Sequence, residues 1–369
     1  MRFIDTTYEN FVNRTKGKNI VQFGASSAWH YFLNIFPRID VDALDKTVLI
    51  VDNSLEKQGN KFEIAGRIYT ISKPDEIEKV RNYAILITVS LAYQEKICEQ
   101  LKAMKLSEEI ECYSLPLMTY SDKKADNSCV DIYLNNHREK KIPAKIHSFW
   151  FSGEEKPDLY KRCIESWYQY CPNFEIIEWN SDNYDVTKNQ YMYEAFKYKK
   201  WAFVSDFARL DLLNQFGGIY MDMDVELLAP IDALLCADSF FCRQEDGLLE
   251  LGSGFGVQAG DTLIRKMLDT YTGRKLIKGN GVIDKTPQPE WLSKVLVENG
   301  FCKCHDSQII GDRLILSNDY ITCATGANST EKAQIGVHWH NGGWLHEKER
   351  KLIHDSFIAK DILRKKYFI

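Results

Sequence analysis

The stretch GGIYMDMDVELLAP, residues 217–230, decides the interpretation of this chain because it places three carboxylates in a strongly apolar run. Strict alternation predicts a strand that directs Asp222, Asp224 and Glu226 to one face. The opposite face would carry Ile219, Met221, Met223 and Val225. Alternate strand residues lie about 6 to 7 Å apart, so these like charges repel one another unless a cation or a donor balances them. The alternative to a balanced, partly buried row of carboxylates is an edge strand whose acidic face is exposed to solvent.

A divalent metal ion is the simplest source of the balancing charge. Oxygen-rich carboxylate sites suit Mg²⁺ or Mn²⁺, and Mg²⁺ usually keeps positions open for water and for the phosphate oxygens of a substrate. We therefore expect Asp222 and Asp224 to hold Mn²⁺ or Mg²⁺.

The segment before this run predicts a buried helix over 202–216, because AFVSDFARLDLLNQF is apolar nearly all the way round a helical wheel. Ser205, Asp206 and Arg209 share its one polar arc. A simple salt bridge between the last two is the alternative. We favour a binding role, since arginine presents a planar fork to oxygen-rich ligands and the helix leads through a glycine cap into the acidic run.

Composition limits the classes of function. The chain has 369 residues, enough for two domains, and its net charge of -5 gives no basic surface for nucleic acid. The start of the chain lacks a signal-peptide pattern, and no apolar run reaches the roughly 18 residues of a membrane span. We expect a cytoplasmic protein with reduced cysteines. Peripheral contact of the basic stretch 359–369 with the inner face of a membrane stays open.

Two α/β domains are predicted. Residues 1–125 are predicted to form a small Rossmann-like domain with a parallel sheet, with strands at NIVQFG, TVLIVD, AILITVS and IECYSL and helices near 28–36 and 91–105. Gly24 and Asp52 end its first two strands and match the dinucleotide-binding fingerprint only weakly. The alternative is that Gly24 merely allows a tight turn of the chain. A polar linker over 126–143 precedes a second domain over 144–369.

Three segments of the second domain together resemble a known family. The segment KKWAFVSDFARLDLLNQFGGIYMDMDVELLAPID (199–232) closely resembles the sugar-binding region of glycosyltransferase family 32. That family includes capsular polysaccharide transferases and yeast-type initiating α-mannosyltransferases. Similarity extends to IPAKIHSFWFSG (142–153) and VHWHNGGW (337–344). The resemblance covers roughly 145–230 and 336–345 and leaves out the first 120 residues.

The resemblance implies a GT-A fold, a nucleotide-sugar donor, a divalent metal and transfer with retention of anomeric configuration. The positions that match the family motifs would be catalytic at Asp206, Arg209, Asp222 and Asp224. Metal ligands would be Asp222, Asp224 and His338. The donor would contact Trp150 through its base, and further Ser205, Tyr220, His338 and Trp344. Gly343 stands where the family more often has serine, so this chain offers no hydroxyl there.

These features together predict a metal-dependent retaining glycosyltransferase of surface or capsular polysaccharide synthesis. Its donor would be a UDP-sugar or, as second choice, GDP-mannose, and its acceptor a glycan or lipid-linked oligosaccharide. A magnesium phosphohydrolase of haloacid-dehalogenase type is one alternative, although that site expects a hydroxyl where this chain has Glu226. A carbohydrate-binding protein without catalysis is the other. For His338 and His340, a place in the core is the alternative.

Overall fold

Two compact units make up the chain. The computed structural model describes residues 1–26, 45–64, 66–120, 124–279, 281–284, 286–302, 304–323, 333–340 and 347–368. The first unit comprises Met1–Ser121 and His346–Ile369, and the second comprises Asp122–Leu345. The predicted limits differ from these units, because the C-terminal residues join the first unit and the whole predicted linker over 126–143 is part of the second.

Helices and strands alternate along most of the described chain. The helices are α1 (Tyr8–Arg14), α2 (Leu91–Ala103), α3 (Ser128–Asn136), α4 (Asp158–Tyr170), α5 (Gln190–Lys197), α6 (Trp201–Phe216), α7 (Thr262–Asp269), α8 (Gln288–Glu298) and α9 (Glu347–Lys366). Short 3-10 helices span Pro74–Lys79, Leu117–Thr119 and Asp232–Cys236. The strands of the first unit are β1 (Arg2–Phe3), β2 (Asn19–Phe23), β3 (Thr47–Val51), β4 (Lys61–Ile64), β5 (Arg67–Ser72), β6 (Tyr83–Ile87) and β7 (Glu111–Ser114). Those of the second are β8 (Lys145–Phe149), β9 (Glu175–Trp179), β10 (Gly218–Tyr220), β11 (Val225–Leu227), β12 (Ser239–Cys242), β13 (Phe255–Val257), β14 (Gln308–Ile310), β15 (Arg313–Leu316), β16 (Ile321–Cys323) and β17 (Gly336–His338).

The first unit is built on a seven-stranded sheet in the order β1-β7-β6-β2-β3-β5-β4. Its strand pairs are parallel except for the hairpin of β4 and β5, which confirms the predicted parallel α/β class. Buried side chains alternate between two cores on either side of the sheet. Leu363, Tyr367 and Phe368, in and just after α9, are buried in one of them, so hydrophobic contacts explain why the chain end joins this unit. The helix predicted near 28–36 lies outside the described residues.

Gly24 and Asp52 favour the structural alternative over a dinucleotide site. Gly24 has φ +108°, and a Cβ there would lie 2.3 Å from Val89 Cγ1, so the tight turn itself requires glycine. The Asp52 carboxylate accepts from Ala25 N and Ser54 N, both at 2.9 Å, and from Lys57 Nζ at 3.0 Å. The protein's own donors therefore occupy the group that would bind a ribose.

Glu111 at the start of β7 is a buried carboxylate surrounded by donors of the first unit. Arg14 contacts it, Lys18 Nζ lies 3.1 Å away, and the Tyr113 hydroxyl donates to it at 2.6 Å. Burial by itself raises the pKa of Glu111, but these hydrogen bonds prevail and lower the pKa from 4.5 to about 2. Since the folded-state pKa is depressed, the resulting stability is present above the unfolded pKa and lost as pH falls towards 2.

We expect Glu111→Gln to lower the free energy of unfolding by about 2 to 3 kcal/mol near neutral pH. The difference from wild type should shrink at about pH 3, because this pH is below the unfolded pKa of 4.5, and protonation of Glu111 in the unfolded chain removes part of the stability that its charge contributes. Urea unfolding followed by circular dichroism at both pH values measures this. Glu76→Gln is the control, since Glu76 pairs with Lys79 at the surface and its loss should leave the midpoint unchanged. An equal loss at both pH values would show that charge is not the cause.

The second unit has a mixed seven-stranded sheet and a small three-stranded sheet. The large sheet has the order β14-β15-β12-β13-β10-β8-β9, and the small one has the order β11-β17-β16. Strand β13 runs antiparallel to both of its neighbours, while β8, β9 and β10 are parallel. Hydrophobic cores cover both faces. The predicted α/β class is confirmed, and the architecture is consistent with a GT-A-type domain.

Helix α6 is buried almost all round, as its sequence predicts. Ten of its residues are buried, and Gly217 caps its end with φ +63°. A Cβ at Gly217 would lie 2.8 Å from Ala259 N, so glycine is required by both backbone conformation and space.

The single strand predicted across the acidic run is wrong. Strand β10 ends at Tyr220 and β11 begins at Val225 in the other sheet, and the intervening turn is closed by a hydrogen bond from Val225 N to Asp222 O of 3.0 Å. The predicted apolar set nevertheless lies in one core, comprising Ile219, Met221, Met223 and Val225. Alternation cannot separate one strand from two short strands joined by a turn that keeps the same side-chain pattern.

Among the residues described, none of the helices is both long enough and apolar enough to cross a membrane.

Candidate functional site

Asp222 and Asp224 lie in the turn where the chain passes from the large sheet to the small one. Two backbone hydrogen bonds fix this turn: Asp222 N donates to Gly252 O at 3.0 Å, and Trp339 N donates to Asp224 O at 2.9 Å. The side chain of Asp224 is 11% exposed and that of Asp222 is 33% exposed. The turn therefore presents one buried and one accessible carboxylate.

His338 reaches the same turn from the end of β17, which pairs with β11 so that Val225 lies opposite His338. Its Nε2 lies 3.2 Å from Asp224 Oδ1 and 3.9 Å from Asp222 Oδ2. Its Nδ1 lies 2.9 Å from Ser253 Oγ, which orients the ring. Burial opposes the charged ring, but the neighbouring carboxylates, Asp224 first, raise the pKa of His338 to about 9. An imidazolium thus balances part of the acidic charge.

This arrangement fits a divalent metal ion. One ligand atom from each of Asp222, Asp224 and His338 lies within 4.8 Å of the others. An ion with ligand distances of about 2.1 Å needs its ligands within roughly 4.2 Å of one another, so small side-chain rotations complete the set. The imidazole binds a metal only when neutral, and metal binding therefore releases its proton.

Arg209 and Asp206 form a buried ion pair beside the three candidate metal ligands, which we call the metal cluster: Asp222, Asp224 and His338. Both side chains are at most 10% exposed, and Arg209 Nη1 lies 4.0 Å from Asp222 Oδ1. Burial raises the pKa of Asp206 to about 7, although Arg209 opposes this. Gln288 Nε2 donates to the backbone oxygen of Asp206 at 2.7 Å. The polar arc of α6 thus meets the acidic turn, and it offers both a donor fork and an acceptor.

Tyr220 and Ser205 lie close to this pair. The Tyr220 hydroxyl donates to Asp222 Oδ1, and the guanidinium carbon of Arg209 lies 5.0 Å from the Tyr220 ring centre. Burial and then Asp222 raise the pKa of Tyr220, so it stays a donor at neutral pH. The Ser205 hydroxyl donates within the helix to Ala202 O at 2.8 Å.

The two tryptophans that the sequence predicts to contact the donor differ from the rest of the site. Trp150 follows β8, donates from Nε1 to Glu154 O at 2.7 Å and packs edge-to-face on Tyr160 at 5.4 Å. Within the described ranges, none of its hydrogen bonds or ring contacts joins it to the acidic cluster. Trp344 lies outside the described residues. Stacking of Trp150 on a base stays a prediction.

Sequence reasoning missed three residues of the site that come just before β13. Ser253 contacts His338. The backbone oxygen of Gly252 accepts a hydrogen bond from Asp222 N. Glu250 Oε1 accepts one from Gly252 N at 2.9 Å. The glycine-rich stretch GSGFGVQAG (252–260) is the available signal, since glycines in such a run permit either close approach of the backbone to another group or a β-bulge or turn. It did not show what approaches.

We expect Gly252→Ala to weaken Mn²⁺ binding by at least about tenfold with little change in melting temperature. A Cβ at Gly252 would lie 2.5 Å from Asp222 Oδ2 and 3.0 Å from Glu250 Oε1. These are side-chain ends that can rotate away, so the fold survives while the ligand geometry does not. Isothermal titration with Mn²⁺ measures the effect. Gly279→Ala is the control, because nothing lies within 4 Å of its added Cβ; Mn²⁺ binding by Gly252→Ala at wild-type strength would contradict this geometry.

The sequence that carries most of this site also matches a known family. Residues 157–241 match the family model described as the glycosyltransferase sugar-binding region containing DXD motif. This range is less than a quarter of the chain. It contains Asp206, Arg209, Asp222 and Asp224, and the motif of the description corresponds to Asp222-Met223-Asp224. The narrower resemblance to family 32 stays a prediction.

Two curated proteins are similar over part of the chain. One is an uncharacterized glycosyltransferase, L373, of Acanthamoeba polyphaga mimivirus, 34% identical over 106 residues, which cover 27% of this chain and 42% of that protein. The other is inositol phosphoceramide mannosyltransferase 1 of Schizosaccharomyces pombe, 27% identical over 110 residues, which cover 27% of this chain and 34% of that protein. The chain thus spans less than half the length of these relatives.

Two solved structures are also similar to this chain. The PaToxG glycosyltransferase has a TM-score of 0.35 at 15% identity, with 46% of this chain and 74% of that chain covered. A glycosyltransferase involved in the glycosylation of the major capsid of PBCV-1 has a TM-score of 0.32 at 12% identity, with 57% and 98% covered.

Proposed function

We propose that this protein is a metal-dependent glycosyltransferase that moves a sugar from a nucleoside-diphosphate donor to a glycan or lipid-linked acceptor. The observation that carries the proposal is the cluster of Asp222, Asp224 and His338 within 4.8 Å, directly beside the buried pair of Arg209 and Asp206. The match of residues 157–241 to a glycosyltransferase sugar-binding region supports it.

The residues divide the work between the leaving group and the sugar. Asp222, Asp224 and His338 would hold Mn²⁺ or Mg²⁺, which when bound stabilises the negative charge of the departing diphosphate. Arg209 and Asp206 orient sugar hydroxyls, because a guanidinium donates and a carboxylate accepts. Departure of the diphosphate then needs no general acid from the protein.

The finer features of the reaction follow the family resemblance. We propose transfer with retention, and Mn²⁺ ahead of Mg²⁺ because the ligand set includes an imidazole nitrogen. We propose a UDP-sugar as donor, and GDP-mannose as second choice, for which the mannosyltransferase relative is the support. Surface or capsular polysaccharide synthesis in the cytoplasm is the proposed setting.

The other interpretations have less support. A haloacid-dehalogenase-type hydrolase needs a hydroxyl two residues after its second aspartate, but Glu226 stands there and accepts from Arg162 and Trp339. A binding protein without catalysis has less support because residues 157–241 match a glycosyltransferase sugar-binding region. Membrane contact through the C-terminal basic residues is weakened because Arg364 lies 3.0 Å from Asp5 and Lys366 lies 2.7 Å from Glu95.

A thermal-shift screen tests the proposal. UDP, UDP-glucose, UDP-galactose, GDP and GDP-mannose are each added with Mn²⁺ and with chelator, since a ligand that binds only the folded state raises the melting temperature. We expect one nucleotide and the nucleotide sugars derived from it to raise the melting temperature by several degrees in Mn²⁺ but not in chelator. A ligand at about a hundredfold its Kd stabilises the folded state by about 2.7 kcal/mol. A shift with a free glycan or a phosphorylated metabolite, and with none of these nucleotides, would contradict the proposal.

A further inference from the structure

Glu250 is brought to the site by a short hairpin that follows β12. Arg243 and Leu249 pair across it in antiparallel fashion, and Glu250 N donates to Cys242 O at 2.9 Å. The fully buried Arg243 closes the hairpin by donating from Nη1 to Gly247 O at 2.8 Å. These contacts fix the backbone from which the Glu250 side chain projects.

The carboxylate of Glu250 borders the metal cluster without belonging to it. A Cβ added at Gly252 would lie 3.0 Å from Glu250 Oε1 and 2.5 Å from Asp222 Oδ2, so the two carboxylates approach the same point. Oε1 accepts from Gly252 N at 2.9 Å, and within the parts of the chain that the structure describes no hydrogen bond engages Oε2. The side chain is half-buried. One oxygen is therefore held in place while the other is available to a ligand.

The chemistry of this oxygen limits what it can bind. A carboxylate accepts hydrogen bonds and repels anions, so phosphate oxygens are excluded as its partner. Glu250 interacts electrostatically with His338, Arg209 and Asp222. Asp222, which it borders, also lies 4.0 Å from Arg209, so Glu250 is close both to the candidate metal ligands and to the pair that orients the sugar. A hydroxyl of a neutral sugar is the donor that suits this position.

We propose that Glu250 determines donor specificity, with its free carboxylate oxygen accepting a hydrogen bond from one hydroxyl of the sugar to be transferred. This inference rests on the proposed glycosyltransferase function. It adds a third sugar contact to those of Arg209 and Asp206. A carboxylate that accepts from one hydroxyl discriminates against the epimer in which that hydroxyl points the other way, since the acceptor is then left unpaired beneath the bound sugar.

The test compares Glu250→Gln with wild type for binding of a nucleotide sugar and of the bare nucleotide. Isothermal titration in Mn²⁺ uses UDP with UDP-glucose and UDP-galactose, and GDP with GDP-mannose. We expect Glu250→Gln to weaken binding of the nucleotide sugar by about tenfold and to leave the affinity for UDP or GDP unchanged. The preference between UDP-glucose and UDP-galactose should shrink. Glu250→Asp keeps the charge but shortens the side chain by one methylene, so it should also weaken binding of the nucleotide sugar. The surface variant Glu178→Gln should leave binding of every ligand unchanged.

Other results would overturn the inference. An equal loss for UDP and UDP-sugar would place Glu250 in support of the metal cluster, and unchanged binding of all ligands would leave it no role with the sugar. Unchanged donor binding with slower transfer would assign it to the acceptor. If wild type itself binds no nucleotide sugar in Mn²⁺, the proposed function fails first, and this is seen before any variant is compared.

Discussion

Replacing Asp224 with asparagine should lower kcat/KM for sugar transfer by about a thousandfold. The asparagine side chain would keep the shape of the aspartate but remove the charge that binds the metal, so the leaving diphosphate loses its stabilisation. The backbone bond from Trp339 N to Asp224 O does not depend on the side chain, and the turn should persist. Release of nucleoside diphosphate at saturating Mn²⁺ measures the rate, and Mn²⁺ titration measures the affinity.

Asp232→Asn is the matched control for this variant. Asp232 is a half-exposed aspartate of the same unit that pairs with Lys140 at 2.8 Å, and its loss should leave transfer unchanged. Circular dichroism should match wild type in both variants. Transfer by Asp224→Asn at wild-type rate would remove the basis for a metal on this residue.

Arg209→Met should lower the free energy of unfolding by about 3 to 5 kcal/mol and abolish transfer. The substitution leaves Asp206 buried without its cationic partner. Burial raises the pKa of Asp206 to about 7, well above the unfolded value of 3.8. Its ionisation therefore opposes folding, and stability falls as pH rises from about 4 to 7. Loss of Arg209 removes a charge that lowers this pKa, so the fall should extend to higher pH, which urea unfolding from pH 4 to 9 measures.

The double variant Arg209→Met with Asp206→Leu separates stability from function. Two apolar side chains of similar volume should restore most of the lost stability, because no buried charge is left unpaired. Transfer should stay absent, because neither a donor fork nor an acceptor remains for the sugar. A double variant that is as unstable as Arg209→Met, or one that transfers sugar, would contradict this account of the pair.

Local patterns predicted the elements that position the site. The helical wheel indicated the buried α6 and its polar arc, and the glycine pair after it indicated the cap at Gly217. Strands β2, β3, β6 and β7 of the first unit overlap the four apolar runs that predicted them. Such features depend on residues close in sequence, so periodicity and capping residues suffice to find them.

Contacts between distant segments could not be predicted in the same way. Ser253 meets His338 across 85 residues, and Glu250 reaches Asp222 through a hairpin whose sequence carries no chemical motif. The turn between Asp222 and Val225 also escaped notice, because residues 221–224 contain no glycine, proline or asparagine to mark it. The C-terminal helix joined the first unit through contacts with the opposite end of the chain, which periodicity alone does not reveal.

The most direct test of the central claim is the release of nucleoside diphosphate from a panel of nucleotide sugars by the wild-type protein, with Mn²⁺ and with chelator. We predict release from one donor in Mn²⁺, none in chelator, and release about a thousandfold slower from the Asp224→Asn protein in Mn²⁺. Release of equal rate in chelator, or no release from any nucleotide sugar while a phosphate ester is hydrolysed, would contradict the assignment of Asp222, Asp224 and His338 to a glycosyltransferase metal site.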